Sequence, residues 1–118
     1  MFATHLDEVP KEPVGAGEKT WKQVLIGSDR GPNFAMRRFI IEPGGFMPMH
    51  TNTVEHEQLV LAGEAEIDTA DGPIRVRRGS VLLMPAGEPH AYRCLGDEAF
   101  EFLCLVPNGE DRIELVDP

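Results

Sequence analysis

The stretch "EQLVLAGEAEIDTADGPIRVR", residues 57–77, decides the fold. Its first six residues, "EQLVLA", are a β-rich run that stops at Gly63. A second run, "EAEIDT", then meets Asp71–Gly72, a two-residue hairpin signal that leads into "PIRVR". Runs this short, each closed by turn residues, leave no room for the period of a helix. The same punctuation continues outward. "SVLLM" (80–84) stops at "PAGEP", followed by "HAYRC" (90–94) and "AFEFLCLV" (99–106). Upstream, "TWKQVLI" (20–26) and "FAMRRFII" (34–41) flank "GSDRGPN", a loop built of turn residues. With ten prolines and twelve glycines spread along the chain, the expectation is an all-β fold of eight or more short strands, a barrel or double-sheet jelly roll. The acidic tail "NGEDRIELVDP" (108–118) is expected either to fray or to add an edge strand.

At 118 residues and 42% hydrophobic, the chain reads as one domain with one core. Its twenty acidic and eleven basic residues give a formal charge of -9, which repels phosphate backbones and anionic lipid; nucleic acid and membrane surfaces are therefore not expected partners. "MFATHLDEV" lacks a basic segment followed by an apolar run, and no stretch is long and apolar enough for a membrane span, so a soluble cytoplasmic protein is expected. Two cysteines are too few for a disulfide framework, which agrees with a reducing compartment.

Candidate chemistry begins at "HTNTVEHE", residues 50–57, which supplies five possible metal donors. Side chains alternate along a strand, so His50 and Asn52 share one face. Beyond a bend at "TNTV", His56, Gln58 and Val60 share a face and Glu57, Leu59 and Leu61 the opposite one. A third histidine, His90, opens a strand after "PAGEP". Treating residues 90–94 and 99–106 as a hairpin around "GDE", a two-residue loop sets Leu103 opposite His90 and turns Glu101 inward. A three-residue loop sets Cys104 opposite His90 and turns Phe100, Phe102, Cys104 and Val106 inward. The second register is expected, because a buried unpaired carboxylate is costly. It also separates Cys94 from Cys104, so no disulfide is expected.

These residues carry a resemblance. "PGGFMPMHTNTVEHEQLVLAGEAEI" resembles the first cupin motif, with Gly44, His50, Asn52, His56 and Gly63 at the motif positions. "GSVLLMPAGEPHAYRC" resembles the second, with Gly79, Pro85, Gly87 and His90, and Cys94 where asparagine is common. "VLIGSDRGPNFAMRRFIIEPGG" and "FEFLCLVP" extend it to very small single-domain cupins that bind manganese through four histidines. The resemblance implies a cupin jelly roll over residues 1–118, with N-terminal strands and loops in 1–33, the barrel in 34–107 and a tail in 108–118. It implies a metal site of His50, Asn52, His56 and His90. Asn52 stands where the subgroup has its second histidine, and either ligates directly, acts through water or caps a turn.

Arg37, Gln58 and Cys104 are candidate catalytic residues. Arg37 is either a bidentate carboxylate binder or a surface arginine, Gln58 a pocket or core-edge residue, and Cys104 a core thiol or one near the metal. Phe46, Met47, Met49, Tyr92, Phe100 and Phe102 are the expected pocket wall. Glu55 and Glu57 are expected at a charged rim and His5 at the surface. Neutral imidazoles select no single ion, so manganese is expected from the resemblance, with iron, zinc, nickel, cobalt and copper open. The function implied is a metal-dependent oxidoreductase, dioxygenase-like, acting on a small organic molecule. An isomerase or lyase, or a non-catalytic sensor, is the alternative. Exposed strand edges and the resemblance imply a homodimer.

Overall fold

The computed structural model describes residues 1–116. A 3₁₀ turn at Leu6–Glu8 precedes ten strands: β1 (Glu12–Pro13), β2 (Glu18–Ile26), β3 (Phe34–Asn52), β4 (His56–Ala62), β5 (Glu64–Thr69), β6 (Gly72–Arg77), β7 (Val81–Met84), β8 (His90–Leu95), β9 (Phe100–Pro107) and β10 (Ile113–Leu115). All pairings are antiparallel, in the order β6-β5-β8-β3-β9-β4-β7, with β2 and β10 also on β3 and β1 on β2. The result is an all-β curled antiparallel sheet that wraps round its own core, as the expected jelly roll requires. No helix among the described residues is long and apolar enough to cross a membrane.

β3 makes the curl. Its 19 residues contain Pro43, Gly44 and Gly45 near the middle, where the chain bends. Before the bend, residues 34–41 pair with β9 and 36–41 with β2; after it, 46–50 pair with β8. One strand thus belongs to both layers. Alternation then decides what faces the interior: β4 buries His56, Gln58 and Val60, β8 buries His90, Tyr92 and Cys94, and β9 buries Phe100, Phe102, Cys104 and Val106. The core centres on Ile41, Ile67 and Phe100, all fully buried. Phe102 sits between Phe39 and Tyr92, with ring centroids 5.2 Å away on each side. At about 25 cal/mol per Å² of apolar surface, such aromatic burial is the main source of stability.

Gly63 shows why the first motif closes on glycine. Its φ is +76°, and a Cβ there would lie 2.3 Å from the Ala99 carbonyl oxygen, so both backbone conformation and space exclude a side chain.

Two expectations about connection are corrected. β8 and β9 form no hairpin: β8 lies between β5 and β3, and β9 between β3 and β4. His90 is therefore opposite His50 and Thr69, whereas Cys104 is opposite Arg37 and Gln58. Consecutive strands do pair at β1–β2, β2–β3 and β5–β6, but from β7 onward each strand pairs only with strands distant in the sequence. The inward set on β9 is the expected one, because parity within a strand does not depend on its partner. The β5–β6 turn also sits one residue earlier, at Ala70–Asp71, since Thr69 pairs with Gly72. In the tail, Ile113–Leu115 adds an edge strand to β3.

Candidate functional site

The interior of the barrel holds a small cavity of about 40 Å³, open to solvent on one side. Its polar floor is His50, Asn52, His56, His90 and the Gln58–Tyr92 pair; Phe39, Met47, Phe102 and Ile113 form the apolar wall, and Arg37 and Asp111 stand together beside His56. All three histidines are buried, His90 to 1% exposure.

His50 and His90 are register partners across β3 and β8, with ring centroids 4.4 Å apart. Each ring donates from Nδ1 to the carbonyl two residues back, His50 to Pro48 (2.7 Å) and His90 to Glu88 (2.9 Å). Those bonds fix the tautomer and leave Nε2 with a free lone pair. The Nε2 of His90 is buried and has no hydrogen-bond partner. Burial lowers both pKa values, that of His90 to about 4 against the opposing bond to Glu88, so both rings are neutral at neutral pH. Gly87 supports this segment: its φ is +80°, and its N–H donates to the Asn52 carbonyl (2.8 Å), fixing the "PAGEP" turn against the first motif.

His56 is held differently. Its Nε2 contacts Asp111 Oδ2 at 3.1 Å and its Nδ1 contacts Cys104 Sγ at 3.5 Å. Burial alone would lower its pKa, but the hydrogen bonds to Asp111 and Cys104 outweigh burial and raise it to about 9. Burial likewise opposes ionisation of Cys104 and Asp111, yet contact with His56 and Arg37 pulls both below their ordinary values. Arg37 completes the group, with Nη1 3.4 Å from Asp111 Oδ2 and Nη2 3.6 Å from Cys104 Sγ. Gln58 and Tyr92 exchange two hydrogen bonds, of 2.8 and 3.0 Å.

A divalent metal ion suits these groups. Two neutral, pre-oriented imidazoles, one with a buried orphan Nε2, together with a neighbouring amide and carboxylate, are the donor chemistry such an ion requires. The residues fit it. Among the described residues no three His, Cys, Asp or Glu side chains yet stand in a metal-binding arrangement. Both ring nitrogens of His56 are engaged, by Asp111 and by Cys104.

The placement of the other candidates is mixed. Arg37, Gln58, Tyr92 and Phe102 line the cavity. Cys104 is fully buried behind His56 and Gln58. Phe46, Met49 and Phe100 do not belong to the wall. Phe46 is 42% exposed, because Met47 takes the inward position and the register then shifts before His50. Met49 is only half-buried, and Phe100 lies within the core. Asp111, Ile113 and Phe39 are the lining residues that the sequence did not single out. Asp111 lies in an acidic run with Glu110 and Glu114, both exposed, and nothing local to that run distinguishes it. Phe39 was readable from inward parity on "FAMRRFII". Both cysteines are free.

Residues 37–106 match the sequence profile of the cupin domain. The chain is 28% identical over 94 residues to 1-methylthio-D-xylulose 5-phosphate methylsulfurylase of Rhodospirillum rubrum, covering 80% of this chain and 60% of that protein. It therefore spans less than two thirds of that curated relative. The structure of the polyketide cyclase RemF from Streptomyces resistomycificus superposes with a TM-score of 0.91 at 27% identity, over 100% of this chain and 87% of that one. The DMSP lyase DddQ from Ruegeria pomeroyi superposes with a TM-score of 0.77 at 25% identity, over 91% of this chain and 60% of that one.

Proposed function

The chain belongs to the cupin domain family, and from that premise we propose that it is a metal-dependent enzyme of the lyase or cyclase type, moving a proton on an anionic, enolisable small molecule. The observation that carries the reading is the pair of neutral histidines, His50 and His90, with Nε2 free and facing a cavity whose opposite wall is aromatic. His50, His90 and His56 would hold the ion, with Asn52 beside them, and manganese is the first ion to try. A bound divalent ion supplies Lewis-acid polarisation of a carbonyl and stabilises the charge left when a neighbouring carbon loses its proton.

The chain's own residues account for binding and orientation. Arg37 Nε is buried and lacks a hydrogen-bond partner, so a substrate carboxylate or other oxyanion supplies what it needs. The Gln58–Tyr92 pair is neutral, since burial raises the Tyr92 pKa further above its ordinary value, and it can turn a donor or an acceptor toward a substrate oxygen. Phe39, Phe102 and Met47 hold the apolar body of the substrate and exclude water. The similarity to proteins named as a cyclase and a lyase supports this class.

An imidazole-rich site also suits oxygen chemistry, so the dioxygenase-like reading is the rival. Manganese- and iron-loaded protein should be incubated in D2O with a panel of 3-oxo acids, under an oxygen electrode and NMR. Metal-dependent deuterium incorporation without oxygen uptake is expected. Oxygen uptake would replace this reading with the oxidative one, and saturable binding without either would leave a sensor.

A further inference from the structure

We propose that Asp111, from the segment between β9 and β10, is a ligand of the metal, closing the site with a carboxylate from outside both histidine-bearing motifs. The inference rests on the metal-dependent reading above.

Three observations carry it. Asp111 Oδ2 lies 3.1 Å from His56 Nε2, so the atom that engages the third histidine is itself a metal donor. Asp111 Oδ1 is buried and has no hydrogen-bond partner, and the same is true of His90 Nε2, which belongs to a residue only 1% exposed and lining the same cavity. Buried polar atoms without partners are costly; of the three on this cavity Arg37 Nε is a donor that an anion answers, and the two lone-pair atoms call for a cation that accepts from both. When the ion enters, the proton shared by His56 and Asp111 leaves to solvent, and one hydrogen bond gives way to two bonds to the ion.

Charge balance points the same way. Three neutral imidazoles leave a divalent ion with its full charge in a buried site, and Asn52 adds only a neutral oxygen. Asp111 halves that charge. Its position is not left to chance. Thr53, one residue beyond β3, donates from Oγ1 to the Glu110 carbonyl (2.6 Å) and accepts from the Arg112 N–H (2.9 Å), so both neighbours of Asp111 are tied to the segment that carries His50 and Asn52. Ile113 then pairs with Asn52 in the sheet. Arg37 is the positioning residue, 3.4 Å from the carboxylate.

The test is a titration of the metal-stripped full chain with Mn2+ and Co2+, read by calorimetry and by the cobalt absorption bands. Wild-type protein should bind one equivalent. D111N and D111A should weaken the Kd about tenfold or more and shift the cobalt bands, while N52A should change either much less. D111N keeps the size of the side chain, so its folding, checked by circular dichroism, stands in for D111A should the latter unfold. Wild-type affinity and unshifted bands in D111N would overturn the inference alone. Tighter binding in D111N would do so too, showing that Asp111 only competes for His56. A wild-type chain that takes up no metal would overturn the metal-dependent reading itself.

Discussion

At the scale of the residue, alternation along β3 gives adjacent side chains opposite fates. Phe46 is 42% exposed beside Met47 at 6%, whereas Phe100, on β9, is fully buried among Ile41, Tyr92 and Phe102. Phe100→Ala should therefore cost about 3–5 kcal/mol in urea unfolding, and Phe46→Ala within about 0.5 kcal/mol of nothing. Equal losses would put Phe46 back in the core. The histidines make a second prediction, for the metal-free protein. His90 titrates near 4 in the folded chain against an ordinary 6.5, so below pH 6.5 the unfolded chain gains a proton that the native one does not. Stability falls as pH drops from there toward 4. His56 is raised to about 9, so its contribution is full below 6.5 and is lost as pH climbs through 9. The urea midpoint plotted against pH should pass through a maximum near neutrality, and His56→Gln should remove the alkaline fall. A flat profile would contradict both assignments.

At the scale of the element, Gly63 joins β4 to β5 where the Ala99 backbone leaves no room. Gly63→Ala meets a positive φ and a carbonyl at 2.3 Å, and should lower stability by about 2 kcal/mol or more. Gly72→Ala, with a positive φ but open space, should cost less, and thermal melts of the two variants make the comparison. Elements were legible to the extent that local chemistry defines them. Turn residues bound nearly every strand; parity divided the two faces of residues 56–61 without saying which is inward, and the cost of burying Glu101 chose the inward face of "AFEFLCLV". Pairing was not legible, because a hairpin between β8 and β9 satisfies the same local rules as the observed arrangement in which they lie in different layers. The bulge that turns Phe46 outward is a two-strand property, absent from either strand alone. Asp111 was hidden for a related reason: an acidic residue in an acidic run reads as solvated until the sheet sets Ile113 against Asn52.

At the scale of the whole molecule, we propose a homodimer, with the N-terminal segment through β2 contributing edge strands. β2 is paired to β3 along its length but carries only the two-residue β1 on its far side, which leaves most of an edge open. Sedimentation at micromolar concentration should give about twice the 13.1 kDa of the chain, and a stable monomer would refute the pairing. The place of β3 in both layers has a consequence in time as well as in space. β2 precedes it, but its other partners, β9 before the bend and β8 and β10 after it, lie later in the chain. During synthesis His50 emerges long before the strands that bury it, and the cavity has no floor until residue 90 and no Asp111 until the last turn. Such late-closing, non-local pairing folds slowly, so under the proposed metal-dependent function the nascent chain would offer an ion only scattered imidazoles, and loading would wait for a finished barrel.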